Sequence, residues 1–433
     1  EALRVTEDPN EIATIRDAYK FFLPLMLTAE LLMLSHAMVI AFLARMPDPA
    51  QILAAFSISF YLHATLGSPI WACQIVAVSF VRDRVSLHRL LAFSSQVTGA
   101  VAWVWILLGA TPAGDWFFRS VFGASVQVAT TAKHCTLVLL FMLPFVMVRS
   151  LAYALLMVKR RTLLVTYGSL LRVLVLFILL SVLTPSYQGA VIGVVALLGC
   201  IIVETLFSLA MARPAYLALP HRDGPQPTYR RLWNFSWPIM LMQLAESSVS
   251  FTVNFFLGRL VKPELALAAF GVLDSLVRVL LSPLRNLVLT AQTMLQVEGD
   301  SQVLLKFGMQ IAAIFCVLLG LFHVAAIEKW VLFDLMGLSA DIAFHVGEAL
   351  LFGIVLAGCM AGACLARGFL IVRDQTHAIA TASVSRLIAV VLVGVVGVAI
   401  GTENGAMLGL LALVAAFVAE GLVLSGYLLK RTR

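Results

Sequence analysis

Residues 43–56 read LARMPDPAQILAAF, and residues 257–270 read LGRLVKPELALAAF. Seven of the fourteen positions are identical at an offset of 214 residues, including Arg45 with Arg259 and Pro49 with Pro263. Matching Leu or Ala residues carry little information in an apolar sequence, but an Arg and a Pro in one register carry more. The offset also holds for Pro24 and Pro238, Pro69 and Pro283, and Arg172 and Arg386, and after a two-residue insertion near the end of the second copy Glu204 corresponds to Glu420. The chain therefore contains two copies of one structural unit.

The composition places both copies in a membrane. Of the 433 residues, 61% are hydrophobic and 12% are charged, and the mean hydropathy is +0.99. A soluble domain is about half apolar and about a quarter charged. A spanning helix needs about 20 mostly apolar residues, and the sequence has twelve such runs: 21–44, 51–80, 88–110, 133–157, 162–183, 189–212, 232–258, 264–297, 302–326, 342–371, 377–400 and 404–429. The alternating strands of a β-barrel are absent from the sequence.

The repeat predicts how these spans are organised. Each copy holds six spans, and because six is even both copies enter the membrane from the same side. We predict an all-α membrane protein of two parallel six-helix lobes, related by a pseudo-two-fold axis along the membrane normal, with substrate bound between them. The predicted segments are a cytoplasmic N-terminal segment (1–20), an N-terminal lobe (21–212), a cytoplasmic linker (213–231) and a C-terminal lobe (232–433).

Basic residues predict the orientation. Eighteen of the 30 Lys and Arg residues lie in the N-terminus, the even-numbered loops and the C-terminus, and six lie in the odd-numbered loops. By the positive-inside rule both termini are cytoplasmic, in a multi-pass protein of the cell (inner) membrane. The net charge of +7 then reflects topology and anionic membrane lipid rather than nucleic acid. We expect a monomer.

The sequence has no pattern of enzymatic chemistry. It lacks HExxH, GxxxxGK[ST] and a nucleophile elbow, and its six cysteines fall in apolar runs without CxxC or Cys/His spacing. We expect a protein that is not an enzyme and that uses neither a cofactor nor a metal.

Several stretches resemble the progressive ankylosis (ANK) transporter family: FFLPLMLT (21–28), FVRDR (80–84), FSWPI (235–239), VNFFLGR (253–259), VSRLIAVVL (384–392) and GAMLGLLALVAAFVAEG (405–421). That family belongs to the multidrug/oligosaccharidyl-lipid/polysaccharide (MOP) exporter superfamily, which also contains the MATE transporters. The resemblance implies a V-shaped pair of six-helix lobes and export of small polyanions such as citrate, pyrophosphate and nucleotides. Residues 71–74 (WACQ) and 246–251 (ESSVSF) differ from the animal proteins, which carry charged residues there. These differences leave the substrate open, and we expect a bacterial homologue.

Charged residues inside the spans form two groups. An ionisable side chain at bilayer depth is costly, so it needs a partner or a watery cavity. Arg172 with Glu204 and Arg386 with Glu420 occur at equivalent places in both copies. We predict that they are structural ion pairs, with a role in coupling as the alternative.

The second group occurs in one copy only. Asp274, Arg278, Arg285 and Gln292 are spaced along one face of span eight. An Asp274–Arg278 pair would leave Arg285 without a counter-ion, and such a guanidinium suits a carboxylate or phosphate. The alternative is that Arg285 reaches cytoplasmic water.

Other in-span polar residues complete the predicted site. The substrate-binding candidates are Arg278, Arg285, Arg149, His63, Asn254 and Gln243, and the coupling-ion candidates are Glu30, His36, Glu246 and Asp274. Ordinary helix packing is the alternative for the polar residues of span seven, and a satisfied interior pair is the alternative for Glu30 and His36. We expect Arg367 to extend to the cytoplasmic face, because it lies only six residues before Arg373.

The predicted function is that of a secondary transporter. The unmatched in-span arginines and the ANK resemblance favour export of a small organic or phosphorylated anion, of the citrate, pyrophosphate or nucleotide class, by alternating access between two lobes. The alternatives within the superfamily are a lipid-linked saccharide flippase and a cation-coupled drug exporter.

Overall fold

The computed structural model describes residues 14–43, 45–47, 49–120, 125–222, 226–295, 300–335 and 340–429. Residues 1–13 of the predicted N-terminal segment and 223–225 of the predicted linker lie outside the described residues. The structure is 89% helix and has no strand in the described residues. Its α-helices are α1 (Ile15–Leu43), α2 (Pro49–Leu66), α3 (Ser68–Phe80), α4 (Arg84–Ala110), α5 (Pro112–Ser120), α6 (Val126–Val158), α7 (Thr162–Leu183), α8 (Ala190–Leu217), α9 (Tyr229–Leu257), α10 (Pro263–Leu281), α11 (Asn286–Met294), α12 (Asp300–Leu321), α13 (Ala325–Lys329), α14 (Ala340–Val372), α15 (Thr376–Ile400) and α16 (Gly405–Leu429).

Eleven helical stretches in the described residues are long and apolar enough to cross a membrane. The predicted seventh span, α9, is not among them although it is 29 residues long. Its sequence explains this, because the second half of α9 carries Gln243, Glu246, Ser247, Ser248 and Ser250. The most polar of the predicted spans is therefore the one that brings a carboxylate to the candidate site.

The pairs Ser68-Pro69 and Ser282-Pro283 lie where the second and eighth spans are interrupted. Helix α2 ends at Leu66 and α3 begins at Ser68, with Pro69 in its first turn. Helix α10 ends at Leu281, and a 3-10 turn (Ser282–Arg285) separates it from α11. Proline has no N–H to donate, and its ring clashes with the preceding turn. Arg285 therefore lies on the irregular turn rather than on a continuous helix.

The chain divides into two compact units. The N-terminal unit is Leu27–Leu244, and the C-terminal unit is Glu1–Met26 with Ala245–Arg433. In the N-terminal unit α6 packs against α2, α3, α4 and α8, and α7 packs against α8. In the C-terminal unit α14 packs against α10, α11, α12 and α16, and α15 packs against α16. The two sets correspond in chain order, so the sequence repeat is also a repeat of helix packing, and the predicted fold class is confirmed.

Part of the predicted linker 213–231 is bonded to the N-terminal unit. Helix α8 continues to Leu217, whose carbonyl oxygen accepts a hydrogen bond from Arg84 Nη2 at 2.8 Å. Arg89 Nη1 donates to the carbonyl oxygen of Pro227 at 3.1 Å. Both arginines lie at the start of α4, so this helix holds the connection between α8 and α9 close to its own N-terminus.

Candidate functional site

A buried layer of ion pairs lies in the C-terminal unit. Glu420 on α16 accepts hydrogen bonds from Arg367 Nε at 2.5 Å and Arg367 Nη2 at 2.7 Å, and also from Arg386 Nη2. All three side chains are almost fully buried. The ring of Phe417, one turn before Glu420, has its centroid 4.8 Å from Arg386 Cζ and 5.9 Å from Arg367 Cζ. One carboxylate thus holds two guanidinium groups in a region with little water.

Glu246 on α9 connects this layer to Arg285. Its Oε2 lies 3.0 Å from Arg367 Nη1 and 3.5 Å from Arg386 Nη1, and its Oε1 lies 2.8 Å from Arg285 Nε. The prediction that Arg285 has no counter-ion is therefore wrong. The counter-ion comes from a neighbouring helix, which the spacing along span eight does not reveal. Both oxygens of Glu246, a predicted coupling-ion candidate, are in contact with guanidinium groups.

The prediction that Arg367 extends to the cytoplasmic face is also wrong. Its side chain is 2% exposed and bonded to Glu246 and Glu420. A long basic side chain reaches toward water when no partner is available at its own depth. Two carboxylates on α9 and α16 supply that partner here, so Arg367 stays inside the unit.

Arg278 belongs to a second network on the same unit. Its Nε donates to Asp274 Oδ2 at 2.8 Å, one turn away on α10, and its Nη2 donates to Ser250 Oγ on α9 at 2.6 Å. Ser250 Oγ in turn donates to Asp274 Oδ1 at 3.3 Å. The predicted Asp274–Arg278 pair is present. Gln292, the last residue of the predicted stripe, is buried on α11 beyond the break in the span.

Two other predicted substrate residues of span seven do not join these networks. Asn254 is exposed, and Gln243 belongs to the N-terminal unit (Leu27–Leu244) rather than to the C-terminal unit that contains these networks. Neither side chain has a hydrogen bond or ion pair within the part of the chain that the structure describes. The structure therefore brings Arg278, Arg285, Asp274 and Glu246 onto two adjoining networks and leaves Asn254 and Gln243 apart from them.

The N-terminal unit contains a related buried cluster around Glu204 on α8. This carboxylate accepts hydrogen bonds from Arg149, from Arg172 Nη1 at 3.3 Å, from Tyr153 OH at 2.7 Å and from Ser169 Oγ at 3.2 Å. The guanidinium of Arg149, a predicted substrate ligand, is thus paired and its side chain is 14% exposed. The structure joins Arg172 to Glu204 and Arg386 to Glu420, and their roles stay a prediction.

Sequence reasoning did not identify Arg367 and Tyr153 as partners of these glutamates. The repeat offset could have related them to each other, because Tyr153 and Arg367 lie 214 positions apart. Each therefore occupies the same repeat position on the fourth span of its copy.

His63 on α2 lies in the interior of the N-terminal unit. Its side chain is buried and packs against the indole of Trp105, with ring centroids 5.8 Å apart at 84°. Contact of His63 with substrate stays a prediction.

Glu30 and His36 on α1 do not form a pair. The ring of His36 stacks on Phe60 at 4.4 Å and on Phe56 at 5.9 Å. Glu30 is partly exposed and has no hydrogen bond or ion pair to any described residue. Across the described ranges, no group of three His, Cys, Asp or Glu residues is arranged to hold a metal ion.

No protein-family model and no curated protein matches the chain. Solved structures do match over nearly its whole length. The eukaryotic MATE transporter AtDTX14 gives a TM-score of 0.77 at 12% identity, covering 96% of this chain and 95% of that chain. A multidrug resistance MATE family transporter of the MOP superfamily, in an outward-facing conformation, gives 0.74 at 16% identity, with 99% and 98% covered. A MOP superfamily transporter from Pyrococcus furiosus gives 0.71 at 15% identity, with 99% and 98% covered. The chain therefore has the fold of the MATE transporters of the MOP superfamily.

Proposed function

We propose that the protein is a secondary active transporter that exports a small organic or phosphorylated anion by alternating access. The observation that carries this proposal is Arg285, a half-exposed guanidinium on the interrupted eighth span. Its side chain is 49% exposed while its Nε contacts Glu246. Its Nη atoms make no hydrogen bond to any described residue. A guanidinium at bilayer depth avoids lipid and faces water or a cavity. The two Nη atoms of Arg285 are therefore available to a soluble anion.

The charge balance of the buried clusters supports an anionic substrate. The C-terminal cluster combines three arginines with two glutamates, Glu246 and Glu420. The N-terminal cluster combines two arginines with Glu204. Each cluster therefore has one formal positive charge in excess. In the C-terminal cluster the half-exposed guanidinium of Arg285 presents this positive charge to an ion of opposite sign.

The second accessible guanidinium extends the site. The Arg278 side chain is 41% exposed and lies on α10, the helix directly before the 3-10 turn that carries Arg285. The planar fork of arginine binds carboxylate and phosphate oxygens in pairs. Two such forks suit an anion with several oxygens, such as a tricarboxylate or a diphosphate.

The resemblance of the sequence to the ANK family favours this substrate class. The ANK resemblance indicates citrate, pyrophosphate or nucleotide. The Pyrococcus furiosus transporter is described as having a binding pocket of reverse polarity that suggests a different function. The fold therefore accommodates pockets of more than one polarity.

A cation-coupled drug exporter is the second candidate. The observation in its favour is Glu30, a partly exposed carboxylate on α1 with no partner among the described residues. A matching fold is that of a multidrug resistance transporter. Under this alternative Glu30 would receive a proton or a cation, and the cargo would be a cationic drug.

Transport by the purified full chain in proteoliposomes distinguishes the two candidates. Radiolabelled citrate, pyrophosphate and ATP would be tested in separate vesicles, and a cationic dye would be tested in parallel. The double variant Arg278→Gln/Arg285→Gln should abolish anion movement. Arg373→Gln is the matched control, because Arg373 is an exposed residue between α14 and α15.

The outcomes separate clearly. Movement of one of the anions, lost in the double variant and kept in the control, supports the proposal. Movement of the dye but of none of the anions would reject it in favour of the drug exporter. Anion movement that survives in the double variant would leave the function standing and remove these two arginines from the site.

A further inference from the structure

We infer that Glu246 is a resident carboxylate that competes with the transported anion for Arg285. This inference rests on the proposed function, because it assigns to Glu246 a role in anion binding at the same site. It differs from the sequence-based expectation, in which Glu246 was a candidate for binding a coupling ion.

The two oxygens of Glu246 serve different partners. Oε2 faces the buried arginines, at 3.0 Å from Arg367 Nη1 and 3.5 Å from Arg386 Nη1. Oε1 lies 2.8 Å from Nε of the half-exposed Arg285. An oxygen of another anion can therefore replace Oε1 at Arg285 without disturbing the contacts of Oε2.

The buried arginines do not depend on Glu246 alone. Glu420 holds Arg367 through Nε and Nη2 and holds Arg386 through Nη2. Breaking a fully buried ion pair by removing one partner is strongly destabilising, whereas a pair with one half-exposed partner costs less to break. Exchange of partners should therefore occur at the contact between Glu246 and Arg285, and not in the layer beneath it.

The exposure of the two side chains points to the same contact. The side chain of Glu246 is 10% exposed and that of Arg285 is 49% exposed. An anion arriving from water meets the guanidinium of Arg285 first. A carboxylate or phosphoryl oxygen is the same kind of acceptor as Glu246 Oε1, and two negative groups on one guanidinium repel each other.

This pair occurs in only one copy of the repeat. At the offset of 214, the position of Glu246 corresponds to Leu32 and that of Arg285 to Trp71. The Arg–Glu pair on the fifth and sixth spans occurs in both copies, as Arg172 with Glu204 and Arg386 with Glu420. Glu246 and Arg285 are thus not needed to build a unit of this fold, which favours a role in what the C-terminal unit binds.

Titration calorimetry of pyrophosphate into the detergent-solubilised full chain tests this role. Glu246→Gln removes the competing charge, and we expect the dissociation constant to fall about tenfold. Glu246→Asp keeps the negative charge for Arg367 but withdraws the oxygen from Arg285 by one methylene, and we expect a smaller fall. Glu348→Gln is the matched control, because Glu348 is an exposed glutamate on α14 that accepts from Asn404 Nδ2 at 3.0 Å.

The Asp variant separates direct competition from a general effect of charge, and it carries the test if the Gln variant does not fold. Tighter binding by Glu246→Asp supports the inference. Binding by Glu246→Asp that equals or is weaker than that of the wild type overturns it, even if Glu246→Gln binds more tightly, because only long-range charge would then be at work. A wild-type chain that neither binds nor transports pyrophosphate, citrate or ATP rejects the proposed function itself.

Discussion

Arg367 and Tyr153 occupy the same position in the two copies of the repeat, and each binds the glutamate of its own unit. Arg367 donates to Glu420 through two nitrogens, and Tyr153 OH donates to Glu204 at 2.7 Å. The N-terminal unit obtains its second guanidinium from Arg149, one turn earlier on α6. Both copies therefore surround a repeated Arg–Glu pair with one further guanidinium from the fourth span, but from different turns of that span.

This arrangement predicts that the two glutamates are essential for stability. Glu204→Gln leaves Arg149 and Arg172 without a counter-ion, and Glu420→Gln leaves Arg386 with only its longer contact to Glu246. Losing one partner of a buried ion pair costs roughly 3–5 kcal/mol. Thermal unfolding in detergent should show a large drop in Tm for both variants. A Tm within error of the wild type would show that water already reaches these clusters.

A double-mutant cycle should show that the cost of Glu420→Gln depends on Arg386. In Arg386→Gln/Glu420→Gln the guanidinium whose remaining contact with Glu246 is the longer, at 3.5 Å, is gone, and Arg367 keeps its contact with Glu246 at 3.0 Å. We expect the double variant to be more stable than Glu420→Gln alone, because no unpaired charge is left. Equal or lower stability of the double variant would mean that Arg367 is the residue left uncompensated.

Tyr153→Phe should be mildly destabilising. The change removes one hydrogen bond to Glu204 at 2.7 Å and leaves both arginines in place. A hydrogen bond to a charged group contributes about 1.5–3 kcal/mol. Tyr167→Phe is the control, because Tyr167 is an exposed residue on α7 in the same unit. The Tm of the Tyr153 variant should lie between that of the control and that of Glu204→Gln, and a Tm at either extreme would contradict this.

The sequence was sufficient for eleven of the twelve predicted spans, the repeat and one kind of ion pair, for a physical reason. Apolar runs report burial in lipid directly, and Arg386 with Glu420 could be paired because both recur in the other copy as Arg172 with Glu204. The partner of Arg285 could not be found in this way. It comes from Glu246 on another helix, and the 3-10 turn at Ser282–Arg285 changes the direction that regular helical spacing predicts.

Single substitutions should separate the accessible arginines from the buried ones. Arg278→Gln and Arg285→Gln each remove a side chain that is about half exposed, so the free energy of unfolding should change by no more than about 1 kcal/mol. Pyrophosphate binding should weaken roughly tenfold or more, because a charge-assisted hydrogen bond is lost. Arg285→Lys should recover part of the affinity, since the charge remains but the planar fork does not. Full affinity in Arg285→Gln, measured by calorimetry, would exclude Arg285 as a ligand.

Salt should weaken anion binding without unfolding the protein. Arg278 and Arg285 are half exposed and feel the ions of the solvent, whereas Arg367, Arg386 and Glu420 are buried. The Debye length falls from about 30 Å at 0.01 M to about 3 Å at 1 M ionic strength. Over this range the dissociation constant of pyrophosphate should rise steeply, while the Tm of the protein without pyrophosphate should change little.

Sodium gluconate would be compared with sodium chloride, so that competition by chloride is separated from screening. A parallel fall in Tm and affinity would mean that salt loosens the buried ion pairs, and affinity independent of salt would mean that the anion binds away from the two accessible arginines.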